Sequence, residues 1–385
     1  MRSIELFAGA GGLGMGLHRA GFKPVQVVER DRYCCDTIRD NQGQQESLVS
    51  HWPLLEGDVR LVDFRAHQDT IDLISGGPPC QPFSMGGKHG AYADARDMFP
   101  EGIRAVREAR PKAFIFENVK GLTRASFRNY FEYIRLQLEH PDLVARAEED
   151  WSEHLARLER HHLTGARGGL NYRVVTRILN AANYGVPQRR ERVLFVGFRD
   201  DLDVEWRFPV STHSADSLLW DQYRDSSYWD RNRVASKDRS WSGGLADRAS
   251  RMECRPTTCA WKSVREAICD LPNPEEAAAT LVSNHRFQAG ARSYAGHTGS
   301  PMDEPAKTLK AGVHGVPGGE NMLLKPSGGV RYFTVRESAR LQTFPDEFIF
   351  HGSWSETMRQ LGNAVPVRLA ETVGRGVARK LQFAA

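Results

Sequence analysis

Short apolar runs alternate with helix-patterned stretches through the first 200 residues, and this alternation constrains the fold more than any other feature. Arg2 to Phe7 (RSIELF) reads as a strand, and Leu13 to Ala20 reads as a helix after a glycine-rich turn. Pro24 to Glu29 (PVQVVE) is a second strand, ending on an acid. Ile71 to Ser75 (IDLIS), Ala113 to Glu117 (AFIFE) and Val193 to Gly197 (VLFVG) are further strands of the buried type. Strands separated by helices need crossover connections, so they specify an α/β fold with a mostly parallel sheet covered on both faces. In such folds ligands sit at the carboxyl ends of the strands. Every motif with chemical promise in this chain lies just after one of these strands.

With 385 residues, 40% of them apolar and 26% charged, the chain has the composition of a soluble globular protein with a sizeable core. No apolar run approaches the roughly 18 residues of a membrane span. The opening MRSIELFAGAGG runs straight into strand and turn without the layout of a signal peptide, so a cytoplasmic location is expected. The six cysteines (34, 35, 80, 254, 259 and 269) form no C-x-x-C pair, which suits free thiols in a reducing compartment and gives no metal site. The net charge of +4 matters less than its distribution. Thr164 to Arg199 carries seven arginines against the single acid Glu191, and Arg231 to Arg255 carries seven bases against three acids, with Trp241 among them. Such stretches suit a polyanion such as nucleic acid, or a solvated face with local salt bridges.

Three regions follow. Residues 1–200 form the first part of the sheet domain. Between Glu139 and His162, Leu143, Ala147, Trp151, Leu155 and Leu158 recur at helical spacing, so an amphipathic helix is expected with His154, His161 and His162 on its wet side. From 201 to 328 the periodicity fades into segments such as YRDSSYWDRNR, read as a smaller, loop-rich domain. From 329 to 385 the α/β pattern returns, and the last helix is expected to pack back on the first domain.

Glycines after a strand and before a helix let backbone approach a ligand, as in Phe7 to Leu17 (FAGAGGLGMGL). Glu29, about 20 residues on, is placed to bond ribose hydroxyls. Asp58, in GDV, could read an adenine amino group. Together they suggest an adenosine-containing cofactor. A NAD enzyme is the rival, but F-x-G-x-G-G differs from G-x-G-x-x-G and shows no clear pyrophosphate cradle. In SGGPPCQPFS, Pro78 and Pro79 fix the backbone ahead of Cys80, presenting its thiol at the mouth of a loop. A thiolate there would be a nucleophile. Glu117, ending the apolar strand AFIF, is expected to have a raised pKa suited to proton handling or to a ring nitrogen. In QRRER, Arg190 and Arg192 alternate and are expected to project to one face, one toward Glu117 and the other toward the cofactor or phosphate neighbourhood.

At these residues the chain resembles the DNA cytosine-C5 methyltransferases, of the bacterial restriction–modification type. FAGAGG resembles the family's cofactor turn, GPPCQPFS its catalytic loop, ENV its glutamate motif, and Gln188 to Arg192 its Q-x-R-x-R. RESARLQTFPDEF and GNAVP resemble its C-terminal motifs, and DEPAKTLKAG the segment before them. The likeness covers about residues 2–200 and 300–380. One departure is that DMF follows Arg96, one residue shorter than R-x-x-L-F, so Met98 is a cofactor contact on weaker ground. The resemblance implies a Rossmann-like sheet that uses S-adenosylmethionine, with a second, smaller DNA-recognition domain. It implies Cys80, Glu117, Arg190 and Arg192 as catalytic residues. It further implies Phe7, Gly9, Gly11, Gly12, Glu29, Asp58, Pro79 and Asn363 around the cofactor. The substrate implied is double-stranded DNA, with a cognate restriction endonuclease as functional partner and a monomeric chain. The same motifs on a transfer-RNA methyltransferase are the alternative. A non-catalytic scaffold of this fold would be expected to lose Cys80, Glu117 or Arg192, and all three are present.

Overall fold

The computed structural model describes residues 1–44, 47–79, 97–165, 168–240, 242–295, 297–311 and 321–383. Its centre is a seven-stranded sheet in the order β3-β2-β1-β4-β5-β7-β6. The strands are β1 (Arg2–Leu6), β2 (Lys23–Glu29), β3 (Leu54–Glu56), β4 (Leu73–Gly76), β5 (Ala113–Val119), β6 (Tyr172–Asn180) and β7 (Glu191–Arg199). The first five are mutually parallel, and β7 runs antiparallel to both of its neighbours. The chain winds outward from β1 in one direction and from β4 in the other. The turns after β1 and β4 therefore flank the switch point at which such sheets bind ligands.

The sheet is buried on both faces, and the period-two pleat sorts its side chains. Along β5, Phe114 and Phe116 enter one core with Ile103, Val106, Ile134 and Leu138. Ala113 and Ile115 enter the other, with Leu17, Leu369, Val373 and Val377. The first face is covered by α3 (Phe99–Ala109) and α4 (Arg128–Glu139). The second is covered by α1 (Gly12–Arg19) and the C-terminal helix α12 (Val367–Phe383), so the last helix does return to the first domain. At α2 (Arg32–Gln42) the Asp31 side chain caps the Cys34 N–H.

Helices α1 and α12 touch through small residues. A Cβ built on Gly16 would stand 2.4 Å from both Ala370 Cβ and the Val367 carbonyl oxygen. Gly16→Ala is therefore expected to cost about 1–3 kcal/mol of stability by overpacking. The check is a lower urea midpoint at unchanged slope, and an unchanged or raised midpoint would contradict it.

Three sequence expectations change. The helix expected over 139–162 is the end of α4 followed by irregular chain and then α5 (Trp151–Thr164). Pro141 stands two residues beyond the end of α4, just past its C-cap His140, and a capping box of Asp150 and Glu153 starts α5. His154 is not on a wet face. It is 1% exposed, its two ring nitrogens meeting the Tyr133 hydroxyl and the Leu143 carbonyl. Strand β6 was not anticipated, because Arg173, Thr176 and Arg177 break its apolar run on the outer edge of the sheet.

Beyond β7 come β8 (His213–Ser214), α6 (Ala215–Tyr223), α7 (Ser227–Arg231), α8 (Gly243–Ser250), β9 (Cys259–Ala260) and α9 (Val264–Ile268). A small cluster of Leu218, Tyr228, Trp229 and Val234 holds part of this region together. Its edges do not follow 201 and 328. Val204, Trp206 and Phe208 join the core beside α12, and Ala306, Leu309 and Leu323 join a core with Phe333 and Leu341. The hairpin of β10 (Met322–Leu324) and β11 (Val330–Tyr332) spans residue 328 itself. The chain closes with α10 (Val335–Leu341), α11 (Trp354–Asn363) and α12. Among the described residues no helix is long and apolar enough to cross a membrane.

Candidate active site

The turn after β1 is built on left-handed backbone. Phe7, Gly9 and Gly11 have φ of 54°, 55° and 86°, and Gly11 caps α1. A Cβ on Gly9 would meet nothing within 4 Å, so backbone there faces open space. A Cβ on Gly11 would stand 2.9 Å from the Trp52 ring, and one on Gly12 would stand 2.4 Å from the Val365 carbonyl oxygen. The turn is thus clasped between Trp52 and the chain just after α11. Asn363, the last residue of α11, is exposed two residues before Val365.

Glu29, at the carboxyl end of β2, fastens the turn. Its carboxylate accepts from the Gly9 N–H at 2.7 Å, the Asp31 N–H at 2.7 Å and the Arg30 N–H at 2.8 Å. Burial pushes its pKa up, against the pull of these bonds. Its oxygens keep further lone pairs for hydroxyl donors. Asp58 is engaged locally. Its carboxylate takes the Arg60 N–H at 3.0 Å and pairs with the Arg60 guanidinium, which holds its pKa well below the usual carboxylate range.

Beneath the turn lies Glu5, 3% exposed, which accepts from the Ser75 hydroxyl. Burial pushes its pKa up to about 8, opposed by Ser75 and the Gly14 N–H. A carboxyl raised in the folded chain contributes stability below its ordinary pKa and loses it as pH rises through the folded value. Glu5→Gln is accordingly expected to flatten the fall in stability between about pH 5 and about pH 8, by up to a few kcal/mol. Urea midpoints at the two ends read this out, and equal slopes in variant and wild type would contradict it.

The second half of the site lies across the switch point. Strand β4 ends at Gly76, and the chain continues through Gly77, Pro78 and the exposed Pro79. The Asn118 amide donates to the Pro78 carbonyl at 2.9 Å, and the Met98 N–H donates to the Pro79 carbonyl at 3.1 Å. Cys80 and the glycine-rich stretch after it lie outside the described residues. Glu117 stands at the end of β5, 6% exposed. In the antiparallel register Glu117 faces Leu194 and Val119 faces Arg192, so Arg192 is the diagonal neighbour of Glu117. Arg192 Nε lies 2.7 Å from Glu117 Oε1. Glu117 Oε2 lies 3.1 Å from where a Cβ on Gly77 would be, which puts the carboxylate against the backbone leading to Pro79. Burial pushes the Glu117 pKa up, while Arg192 and then Arg190 pull it down.

Arg190 takes a different place from the one expected. It precedes β7 and is fully buried, and its guanidinium donates to the Gly362 carbonyl at 2.6 Å and the Leu309 carbonyl at 3.1 Å. Gln188 adds to the same tie, accepting from the Leu309 N–H at 3.0 Å and donating to the Leu341 carbonyl at 3.2 Å. The first half of the motif therefore binds the returning chain, and only Arg192 pairs with Glu117. Met98 is 9% exposed in the core behind Pro79. Trp52 and Glu5 were missed from sequence. Glu5 had a usable signal, being an acid inside an apolar strand.

The fold and site together define a Rossmann-like sheet protein, with a glycine turn fastened by Glu29 on one side of the switch point and a buried acid–arginine pair on the other. The chain belongs to the C-5 cytosine-specific DNA methylase family, whose match covers residues 1–142 and 163–379. It is 33% identical to the Type II methyltransferase M.Eco47II of Escherichia coli, over 98% of this chain and 79% of that one. It is 32% identical to the Type II methyltransferase M.NgoMIV of Neisseria gonorrhoeae, over 99% and 98%. Among solved structures, the S. pombe Dnmt2 methyltransferase superposes with a TM-score of 0.56 at 17% identity, over 100% of this chain and 99% of that one, which supports the fold. The activity is methyl transfer to C5 of cytosine in DNA.

Proposed function

We propose that this chain is the modification enzyme of a restriction–modification system, acting on a short site in double-stranded DNA in the bacterial cytoplasm. The Type II names of its relatives support pairing with a cognate endonuclease. The observation that carries the site assignment is the buried Glu117–Arg192 pair set against Gly77 at the mouth of the switch point.

S-adenosylmethionine, when bound, supplies an electrophilic methyl group. The turn suits it. Open backbone at Gly9, the exposed Asn363 and the bonded Glu29 carboxylate offer a purine surface, amide contacts and a ribose acceptor. Phe7, Gly11, Gly12 and Pro79 line the same mouth, and Asp58 at its edge is the acceptor for the adenine amine. Cytosine C5 is a poor nucleophile until a group adds to C6. The Cys80 thiolate would add there, forming the S–C6 bond and moving electron density to C5. Glu117 would bond N3 and the exocyclic amine, its raised pKa favouring a proton shared with the ring. Arg192 would hold Glu117 in place and bond the cytosine O2. Once C5 carries the methyl group, loss of its original proton to a base and elimination of the Cys80 thiolate from C6 would restore the aromatic ring and free the cysteine. Arg190 is a positioning residue that ties Gly362, next to Asn363, to the motif carrying Arg192. The target atom cannot be reached inside a duplex, so the base leaves the stack at a cost of a few kcal/mol. The basic region within 201–328 would hold and read the DNA, and the chain would act as a monomer.

The test is transfer of labelled methyl to duplex DNA and to transfer RNA in parallel. Label in duplex DNA alone supports the reading, and label in transfer RNA alone overturns it.

A further inference from the structure

The family match breaks between residues 142 and 163, and α5 lies almost wholly in that break. This inserted helix packs on α4 through Leu136, Leu155 and Leu158, with Tyr133 and Trp151 beside them. At the far end of the same contact, Glu139 and His140 from the matched chain meet His162 from the insertion. Glu139 Oε2, His140 Nε2 and His162 Nδ1 all lie within 4.8 Å of one another.

We propose that these three side chains form a divalent transition-metal site of the zinc class, which clamps the inserted helix to the methyltransferase core. Four observations support it. First, two of the three spacings fit, and the third pair, Glu139 Oε2 and His140 Nε2, lies within 4.8 Å. Zinc bonds of about 2.0–2.2 Å in a tetrahedron set ligand atoms roughly 3.3–3.5 Å apart. His140 Nε2 stands 3.3 Å from His162 Nδ1, and His162 Nδ1 stands 3.2 Å from Glu139 Oε2. Second, the lone pairs point inward. The other nitrogen of His140, Nδ1, lies 2.8 Å from Asn171 Oδ1, which can only accept. The His140 proton therefore sits on Nδ1, so the Nε2 lone pair, which without metal accepts from His162 Nδ1, is available as a ligand, an arrangement typical of metal-bound histidine. Third, Glu139 is 7% exposed; its Oε1 is held by Arg135, while its buried Oε2 accepts no well-aligned hydrogen bond and faces His162 Nδ1 at 3.2 Å. Fourth, His162 lies in the last turn of α5, where the helix dipole favours a cation. Two imidazoles and a carboxylate suit zinc or a neighbouring first-row ion, with water completing the shell. The sequence reading left His161 and His162 on a wet face without metal, because the partner that completes the set lies 22 residues before His162.

The test uses the full chain, stripped of metal with a chelator. Zn2+ is titrated calorimetrically, and Co2+ is followed by visible absorption as a reporter of tetrahedral nitrogen–oxygen coordination. The expected result is one Zn2+ per chain and a raised thermal midpoint. His140→Ala and His162→Ala should each weaken binding by at least about tenfold and abolish the midpoint shift. His161→Ala, beside the cluster, should leave the affinity unchanged. His162 is exposed, so its variant folds and reads the site alone. No binding to the wild type would overturn the proposal. So would equal affinity in both ligand variants, which would move the ion to the exposed Cys254, Cys259 or Cys269.

Discussion

Glu117→Gln is expected to lower methyl transfer to duplex DNA by about 10²–10⁴-fold while leaving cofactor affinity unchanged. Glutamine keeps the shape and one acceptor oxygen beside Arg192 but cannot share a proton with the N3 of the target ring. The Arg192 guanidinium, 10% exposed, would then be buried beside a neutral amide. Stability should fall as well, within the 3–5 kcal/mol or so that breaking a buried pair costs. The two effects are separable. Single-turnover kinetics at saturating cofactor reads the first, and denaturation reads the second. A variant that loses stability but keeps its turnover would reduce Glu117 to a structural partner of Arg192.

Cys80→Ala is expected to remove activity more completely, to the background of the assay, because the described cysteines nearest the site are buried thiols that cannot replace it. Cys34 and Cys35 are buried in α2, and burial pushes the Cys35 thiol up to about 12, the wrong direction for a nucleophile. A duplex carrying 5-fluorocytosine gives a second readout. The fluorine at C5 cannot leave as a proton does, so addition at C6 should trap a covalent complex in the wild type and none in Cys80→Ala. A trapped complex in the variant would place the nucleophile elsewhere.

The sheet was legible because its strands are short, apolar and separated by helical spacing. Five of the seven were marked by runs such as IELF and AFIF, and the placement of the motifs at carboxyl ends of strands followed from them, while the strand order that sets the switch point did not. Tertiary partners were not legible. Arg190 and Arg192 differ by two positions and share a pattern. Yet one faces the returning chain at Gly362 and the other faces Glu117, because β7 begins between them. Asp58 reads as a cofactor acid, and the Arg60 guanidinium that also binds its carboxylate was not legible. His154 fitted a wet helical face until Tyr133 of α4 supplied a partner. Packing across the start of the middle region was hidden for a related reason. Trp206 and Phe208 pack into a core whose other members come from α12, more than 150 residues later.

The most direct measurement is single-base mapping of 5-methylcytosine in DNA from a host expressing the chain. The expected result is methylation confined to cytosines within one short recurring motif, above the background of the same host without the chain. Unmethylated DNA in the presence of folded, cofactor-binding protein would contradict the account, and methylation scattered without a motif would contradict the site-specific modification role.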